Sequence, residues 1–133
     1  PSVAAASPVG SIAGIVLAAG RSRRFGSPKA LAEVGGRALV RRAVDVLAAA
    51  GADPVVVVLG ADRDAVAAAL VGTTAHTVVN ADHAAGIGTS LAAGARACPD
   101  DIDAVLVTTC DQPGTTAALV RSVIDAWRAG RGR

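Results

Sequence analysis

Apolar residues in this chain fall into short continuous runs that alternate with stretches of helical spacing, from residue 12 almost to the end. Ile12–Ala18, IAGIVLA, is apolar throughout and leads into Gly20, the pattern of a strand buried on both faces of a parallel sheet. Leu39, Val40, Ala43, Val44 and Leu47 then recur at helical spacing, and Gly51 is placed to stop that helix. Pro54 opens VVVVL, a second buried strand over Val55–Leu59. Residues 65–70 predict a helix begun by Asp62 or Asp64 as a cap. Residues 76–80, HTVVN, predict a third strand, and Ser90-Leu91-Ala92-Ala93 a helix whose entry Thr89 and Ser90 cap. A fourth strand is predicted over Ala104–Thr109. Thr115 or Thr116 then caps a last helix over residues 115–129, carrying Leu119, Val120, Val123, Ile124 and Trp127.

Strands separated by helical crossovers imply right-handed βαβ units, hence an α/β fold with a mainly parallel sheet and helices on both faces. Ligands bind such sheets beyond the carboxyl ends of the strands. The polar and glycine-rich segments fall at those ends, over residues 20–29, 80–90 and 111–113.

Composition narrows the picture. A chain of 133 residues can form one domain with its own core. Apolar residues make up 52% but aromatics only 2%, so that core must come from Ala, Val, Leu and Ile. With 18% charged residues, the chain is globular and not disordered. Residues 1–11 lack a basic n-region and are broken by Pro and Gly. They read as a loose tail, not a signal peptide, ahead of a domain over residues 12–133. No run approaches a membrane span, and a net charge of +2 is too small for a nucleic-acid surface. Cys98 and Cys110 lie in different elements and match no metal or redox spacing; they read as buried free thiols of a cytoplasmic protein, with a disulfide as the alternative.

Three segments could carry chemistry. The first runs from Leu17 through Ala18, Ala19, Gly20, Arg21, Ser22, Arg23 and Arg24 to Lys29. Small residues after a strand let the backbone approach a ligand, and successive N–H groups can make an anion-binding concavity. Arg and Lys would supply charge for a triphosphate. The segment is neither a Walker P-loop nor GxGxxG, and a solvated basic loop is the plain alternative. The second runs from Asn80 to Leu91. Gly86 and Gly88 permit a tight path there, and Thr89 and Ser90 open a helix whose N-terminus could face a base or a phosphate. An ordinary capped helix entry has the same look. The third is Asp111-Gln112-Pro113: a carboxylate at the end of a buried strand can hold Mg²⁺ on triphosphate oxygens, or can simply form an Asx turn. Asp53, Asp62, Asp100, Asp101 and Asp103 flank elements or sit in turns and receive no site role.

The first segment, as LAAGxSxRxGxxK after a first strand, resembles the signature of the MobA-like nucleotidyltransferases. These join a nucleoside monophosphate to a phosphorylated acceptor and release pyrophosphate. NADHAAGIGTSL is similar to the NPxWxxGMGSSL stretch of molybdenum cofactor cytidylyltransferases, with His83 where an aromatic residue is frequent. Ala19 in LAAG and the form DQP resemble the cytidine branch.

The resemblance implies a three-layer, Rossmann-like fold with its first strands in the order 3-2-1-4. It implies an Mg²⁺-dependent enzyme that transfers CMP from CTP to the phosphate of a molybdopterin-type acceptor, with a molybdoenzyme as client. Leu17, Ala18, Ala19, Gly20, Arg21, Ser22, Lys29, Asn80, Gly88, Thr89 and Ser90 would bind nucleotide. Arg21, Arg24 and Lys29 would neutralise phosphate charge as pyrophosphate leaves, Arg23 would face solvent, and Asp111 would hold the metal. A guanylyltransferase using GTP, a sugar-phosphate nucleotidyltransferase and an inactive nucleotide-binding remnant share the first motif. A dinucleotide-dependent oxidoreductase would need the glycine fingerprint that this chain lacks. The family fold normally continues past the helix at 115–129, into a part with a second metal-ligating carboxylate and much of the acceptor pocket. These 133 residues are therefore expected to bind nucleotide weakly, to turn over poorly, and to form a homodimer through an open sheet edge.

Overall fold

Apolar runs with no polar break place Ile12–Ala18 and Val55–Leu59 at the centre of the sheet, where both faces are covered. The computed structural model describes residues 11–19, 23–24, 27–82, 86–110 and 115–130, with backbone alone at 23–24 and 27–28. The first strand, β1, spans Ile12–Ala18. Two short antiparallel ladders follow: β2 (Arg23–Arg24) with β3 (Ser27–Pro28), then β4 (Glu33–Val34) with β5 (Arg37–Ala38), separated by a 3-10 turn at Lys29–Leu31. The chain continues as α1 (Leu39–Ala49), β6 (Val55–Leu59), α2 (Arg63–Ala69), β7 (His76–Val79), α3 (Ile87–Arg96), β8 (Ala104–Thr109) and α4 (Ala117–Gly130).

The long strands are all parallel and stand in the order β7-β6-β1-β8. Counted along the chain this is 3-2-1-4, as the resemblance implied. Side-chain alternation splits the core into two layers. Ile12 and Val16 of β1, with Val55, Val57 and Leu59 of β6, pack against Val40, Val44 and Leu47 of α1, Val66 of α2, and Val120 and Ile124 of α4. Ile15 and Val58, facing the other way, meet Ala93 of α3. Helices therefore cover both faces, and the three-layer expectation holds. The helix on the second face sits close because Gly94 has no side chain: a Cβ there would lie 2.8 Å from Ile15 Cγ2 and 3.0 Å from Val58 Cγ2.

Helix ends follow local chemistry, with some departures from the sequence pattern. Gly51 ends α1 as expected, with a positive φ of 102°, and Ala52 N–H donates to Leu47 O at 3.0 Å in a Schellman arrangement. Thr116 caps α4, its hydroxyl accepting the Leu119 N–H at 3.1 Å. Neither Asp62 nor Asp64 caps α2. Asp62 holds the N-cap position at φ −106° and ψ 34° and makes no side-chain cap bond, because an N-cap oxygen reaches the first amides from extended backbone; Asp64 lies in the first turn. Thr89 and Ser90 do not cap α3 either, since the helix starts at Ile87 with Gly86 as its N-cap. The β4–β5 hairpin lies where only loop was expected; Gly35 and Gly36, with φ of 63° and 79°, close it.

Two apolar residues of the last helix did not follow the pattern. Val120 and Ile124 are buried, but Leu119 and Val123 are 56% and 50% exposed along an apolar groove of about 240 Å³ between α1, β8 and α4. Among the described residues β8 pairs only with β1. Ser11, the last residue of the expected tail, is buried and donates its N–H to Asp103 Oδ2 at 3.2 Å. Residues 1–10 lie outside the described residues. Cys98 and Cys110 are free thiols, each half-buried. No helix among the described residues is long and apolar enough to cross a membrane.

Candidate functional site

The carboxyl ends of β1, β6 and β7 meet along one edge of the sheet, and the register sets what stands there. Leu17 pairs with Val58 on one side and Thr109 on the other, and Ala18 pairs with Leu59. Leu17 and Ala18 are half-buried, and Ala19, the next residue, is 3% exposed. Gly60, directly after β6, lies against the Ala19 backbone. Lys29 opens the 3-10 turn, with its carbonyl accepting the Ala32 N–H at 3.0 Å. Arg24 is placed by its backbone alone, opposite Ser27 in the β2–β3 ladder. Gly20, Arg21, Ser22 and Asp111 lie outside the described residues.

The second segment closes on itself. Asn80 directly follows β7, and its N–H donates to Leu59 O at 2.8 Å, which extends the β6–β7 ladder by one rung. Its side-chain Nδ2 donates to Thr89 Oγ1 at 2.9 Å and to Ser90 Oγ at 3.0 Å. Its Oδ1 accepts the Asp82 N–H at 3.0 Å. An amide nitrogen has two protons, so both are spent. Thr89 Oγ1 also lies 2.8 Å from the Gly86 carbonyl, which it can reach as a donor. Asn80, Thr89 and Ser90, expected together from the sequence, are indeed together, but as a clamp that holds the start of α3 beside the ends of β6 and β7. What α3 presents at this edge is first-turn backbone around exposed Ile87 and Gly88, where helix amides lack intrahelical acceptors.

A polar cleft of about 590 Å³ opens at the same edge, between the β6–α2 connection and the end of β7. Gly60, Asp62, Arg63, Val79 and Asn80 line it. Sequence reasoning gave Asp62 no site role and did not single out Gly60. The available signal was topological: a residue directly after a central parallel strand stands at the ligand edge. Among the described residues no group of three or more His, Cys, Asp and Glu could hold a metal by itself.

Small backbone beside a strand end, a clamped helix N-terminus and a polar cleft form a cradle suited to a phosphorylated ligand. Residues 14–133 match the family model described as the MobA-like NTP transferase domain. The chain belongs to this family. Its MobA-like sequence is 37% identical over 122 residues to a probable molybdenum cofactor guanylyltransferase of Opitutus terrae, covering 92% of this chain and 58% of that protein. It is 38% identical over 121 residues to the nicotine blue oxidoreductase of Paenarthrobacter nicotinovorans, covering 90% and 59%. The MobA-like fold is also similar to the crystal structure of Rv0371c of Mycobacterium tuberculosis in complex with manganese, with a TM-score of 0.71 and 34% identity, over 90% of this chain and 60% of that one. The chain thus spans about 60% of the length of these three relatives.

Proposed function

We propose that this MobA-like domain binds an Mg²⁺-nucleoside triphosphate, with CTP preferred, for transfer of CMP to the phosphate of a molybdopterin-type acceptor. The observation that carries the reading is the convergence, at one sheet edge, of the Leu17–Ala18–Ala19 backbone and the α3 N-terminus held by Asn80. Ala19 and the DQP form at Asp111 support CTP, through resemblance to the cytidine branch.

In the reaction an oxygen of the acceptor phosphate attacks the α-phosphorus of CTP. The bond from that phosphorus to the bridging oxygen breaks, and pyrophosphate leaves with the electron pair. Such transfers depend on positioning and charge neutralisation more than on covalent catalysis. Backbone amides of Ala18, Ala19 and Gly20 hold the triphosphate, with Arg21, Arg24 and Lys29 offsetting its charge. Asn80, Thr89 and Ser90 act by placing the α3 N-terminus beside the ligand. Asp111 comes two residues after β8, the strand beside β1, and its assignment to the metal follows the resemblance. A single carboxylate suits Mg²⁺, which takes one or two carboxylates and fills its other positions with water and phosphate oxygens. When bound, the metal would neutralise charge on the departing pyrophosphate.

The 38% identity to a protein named as an oxidoreductase supports a second reading, in which the same cradle holds a nucleotide cofactor for redox chemistry. Calorimetric titration with Mg²⁺ complexes of CTP, GTP, ATP and UTP, alongside NADH and NADPH, separates the two. Preference for Mg-CTP, with pyrophosphate released when a molybdopterin acceptor is added, supports cytidylyl transfer. Preference for GTP moves the assignment to guanylyl transfer. Tight binding of a reduced dinucleotide and no triphosphate would establish the second reading, and a folded protein that binds none of them would refute both.

A further inference from the structure

The last rung between β1 and β6 joins Ala18 to Leu59, so the next residue on each strand, Ala19 and Gly60, leaves the ladder side by side. There the two backbones come closer than any side chain allows. A Cβ on Gly60 would lie 2.5 Å from Ala19 O, 2.9 Å from Ala19 Cα and 3.0 Å from Ala19 C. Ordinary carbon contacts need about 3.5–4.0 Å. All three opposing atoms are backbone, so no side-chain rotation relieves the overlap. Ala19 has little room to retreat, since it is 3% exposed and packs with Ile15, Val58 and Ala93. Gly60 itself is buried, and it also lines the polar cleft.

We infer that Gly60 is a positioning residue that sets where the Ala18–Ala19 backbone sits, and through it how well the site holds a nucleotide. This rests on the reading of that backbone as the phosphate cradle. The Ala19 carbonyl belongs to the planar peptide group that follows Ala19, so displacing the oxygen turns the whole group. A methyl group at position 60 forces a displacement on the order of 0.5–1 Å to reach normal contact. A shift of that size in a ligand-positioning element can weaken function by about 10²-fold. The absent side chain of Gly60 therefore acts on the ligand without touching it.

The test compares Gly60→Ala with Gly14→Ala. The second adds a crowded Cβ near the other end of β1, against the Leu47 and Ala52 side chains. Backbone NMR shifts, thermal unfolding and calorimetric titration with Mg-CTP are recorded for both and for the unaltered chain. Gly60→Ala should move the Ala18 and Ala19 resonances and weaken nucleotide binding roughly 10–100-fold. Gly14→Ala should lower the melting temperature, with affinity within about twofold of the unaltered chain. Unmoved Ala18 and Ala19 resonances in folded Gly60→Ala, or equal loss of affinity in both variants, would overturn the inference. If the unaltered chain binds no nucleotide while Gly60→Ala still moves Ala19, the positioning of the backbone stands, but its bearing on a ligand falls with the functional reading.

Discussion

Asn80 Nδ2 lies 3.0 Å from Ser90 Oγ, and the two residues, 6% and 4% exposed, join the end of a strand to the first turn of a helix. The same nitrogen donates to Thr89 Oγ1, and the opposite side of the amide accepts the Asp82 N–H. A buried amide so fully partnered leaves unmet hydrogen-bonding groups behind when it is removed. Its primary work is to fix the angle at which α3 meets the sheet edge.

Truncating that amide should loosen α3. Asn80→Ala is expected to lower stability by about 1–3 kcal/mol, a fall in melting temperature of roughly 3–12 °C. Ser90→Ala should lower it less, because the amide keeps its bond to Thr89. Calorimetric unfolding of both variants checks the order. An Asn80→Ala protein melting with the unaltered one would mean that the clamp is not holding the helix.

Lys29 is offered as a phosphate ligand, and its backbone carbonyl already serves the 3-10 turn whatever its side chain. Lys29→Ala should weaken Mg-nucleotide binding about 10–100-fold, as loss of one charge-assisted hydrogen bond would. The melting temperature should stay within about 2 °C, since partly exposed side chains contribute little to folding. Asp111→Ala should instead reduce the difference between titrations with and without Mg²⁺. Affinity unchanged in Lys29→Ala would remove this residue from the site.

Thr116 caps α4 through its hydroxyl, which accepts the Leu119 N–H at 3.1 Å. Thr116→Ala should cost about 1 kcal/mol, seen as an earlier urea midpoint with an unchanged slope. An unchanged midpoint would mean that the cap bond does not hold the start of α4.

Burial pushes the Cys98 thiol up from its ordinary value, and its Sγ lies 3.4 Å from the Gly94 carbonyl as a donor. Because the folded value exceeds the unfolded one, the associated stability is complete below the unfolded pKa and is lost as pH rises through the folded one. Alkylation of Cys98, followed by mass spectrometry, should stay slow near pH 8 and accelerate only in the alkaline range, while the urea-unfolded chain reacts readily. Equal rates for folded and unfolded protein at pH 8 would contradict the shift.

Much of this protein can be read from local pattern. Unbroken apolar runs let Ile12–Ala18 and Val55–Leu59 declare themselves without reference to partners, and Ala104–Thr109 does so although Val105 and Val107 are exposed. Gly51 and Thr116 mark helix ends because their cap chemistry acts within a few residues. The segments that could bind a phosphorylated ligand are visible for the same reason, and the strand order accompanied the resemblance they carry.

Tertiary structure decided what depends on residues distant in sequence. The amide of Asn80 could have faced a ligand, and only the packing of α3 on β6 and β7 shows it spent on Thr89 and Ser90. Leu119 and Val123 fit a helical apolar stripe, yet burial depends on what stands opposite, and at the β8 edge the described structure leaves them half-exposed. Gly60 is an ordinary strand-end glycine in the sequence, separated from Ala19 by two short antiparallel ladders, a helix and a strand. Its importance comes from the Ala19 backbone standing where a Cβ would be, 2.5 Å from Ala19 O, in a parallel register that no local pattern encodes.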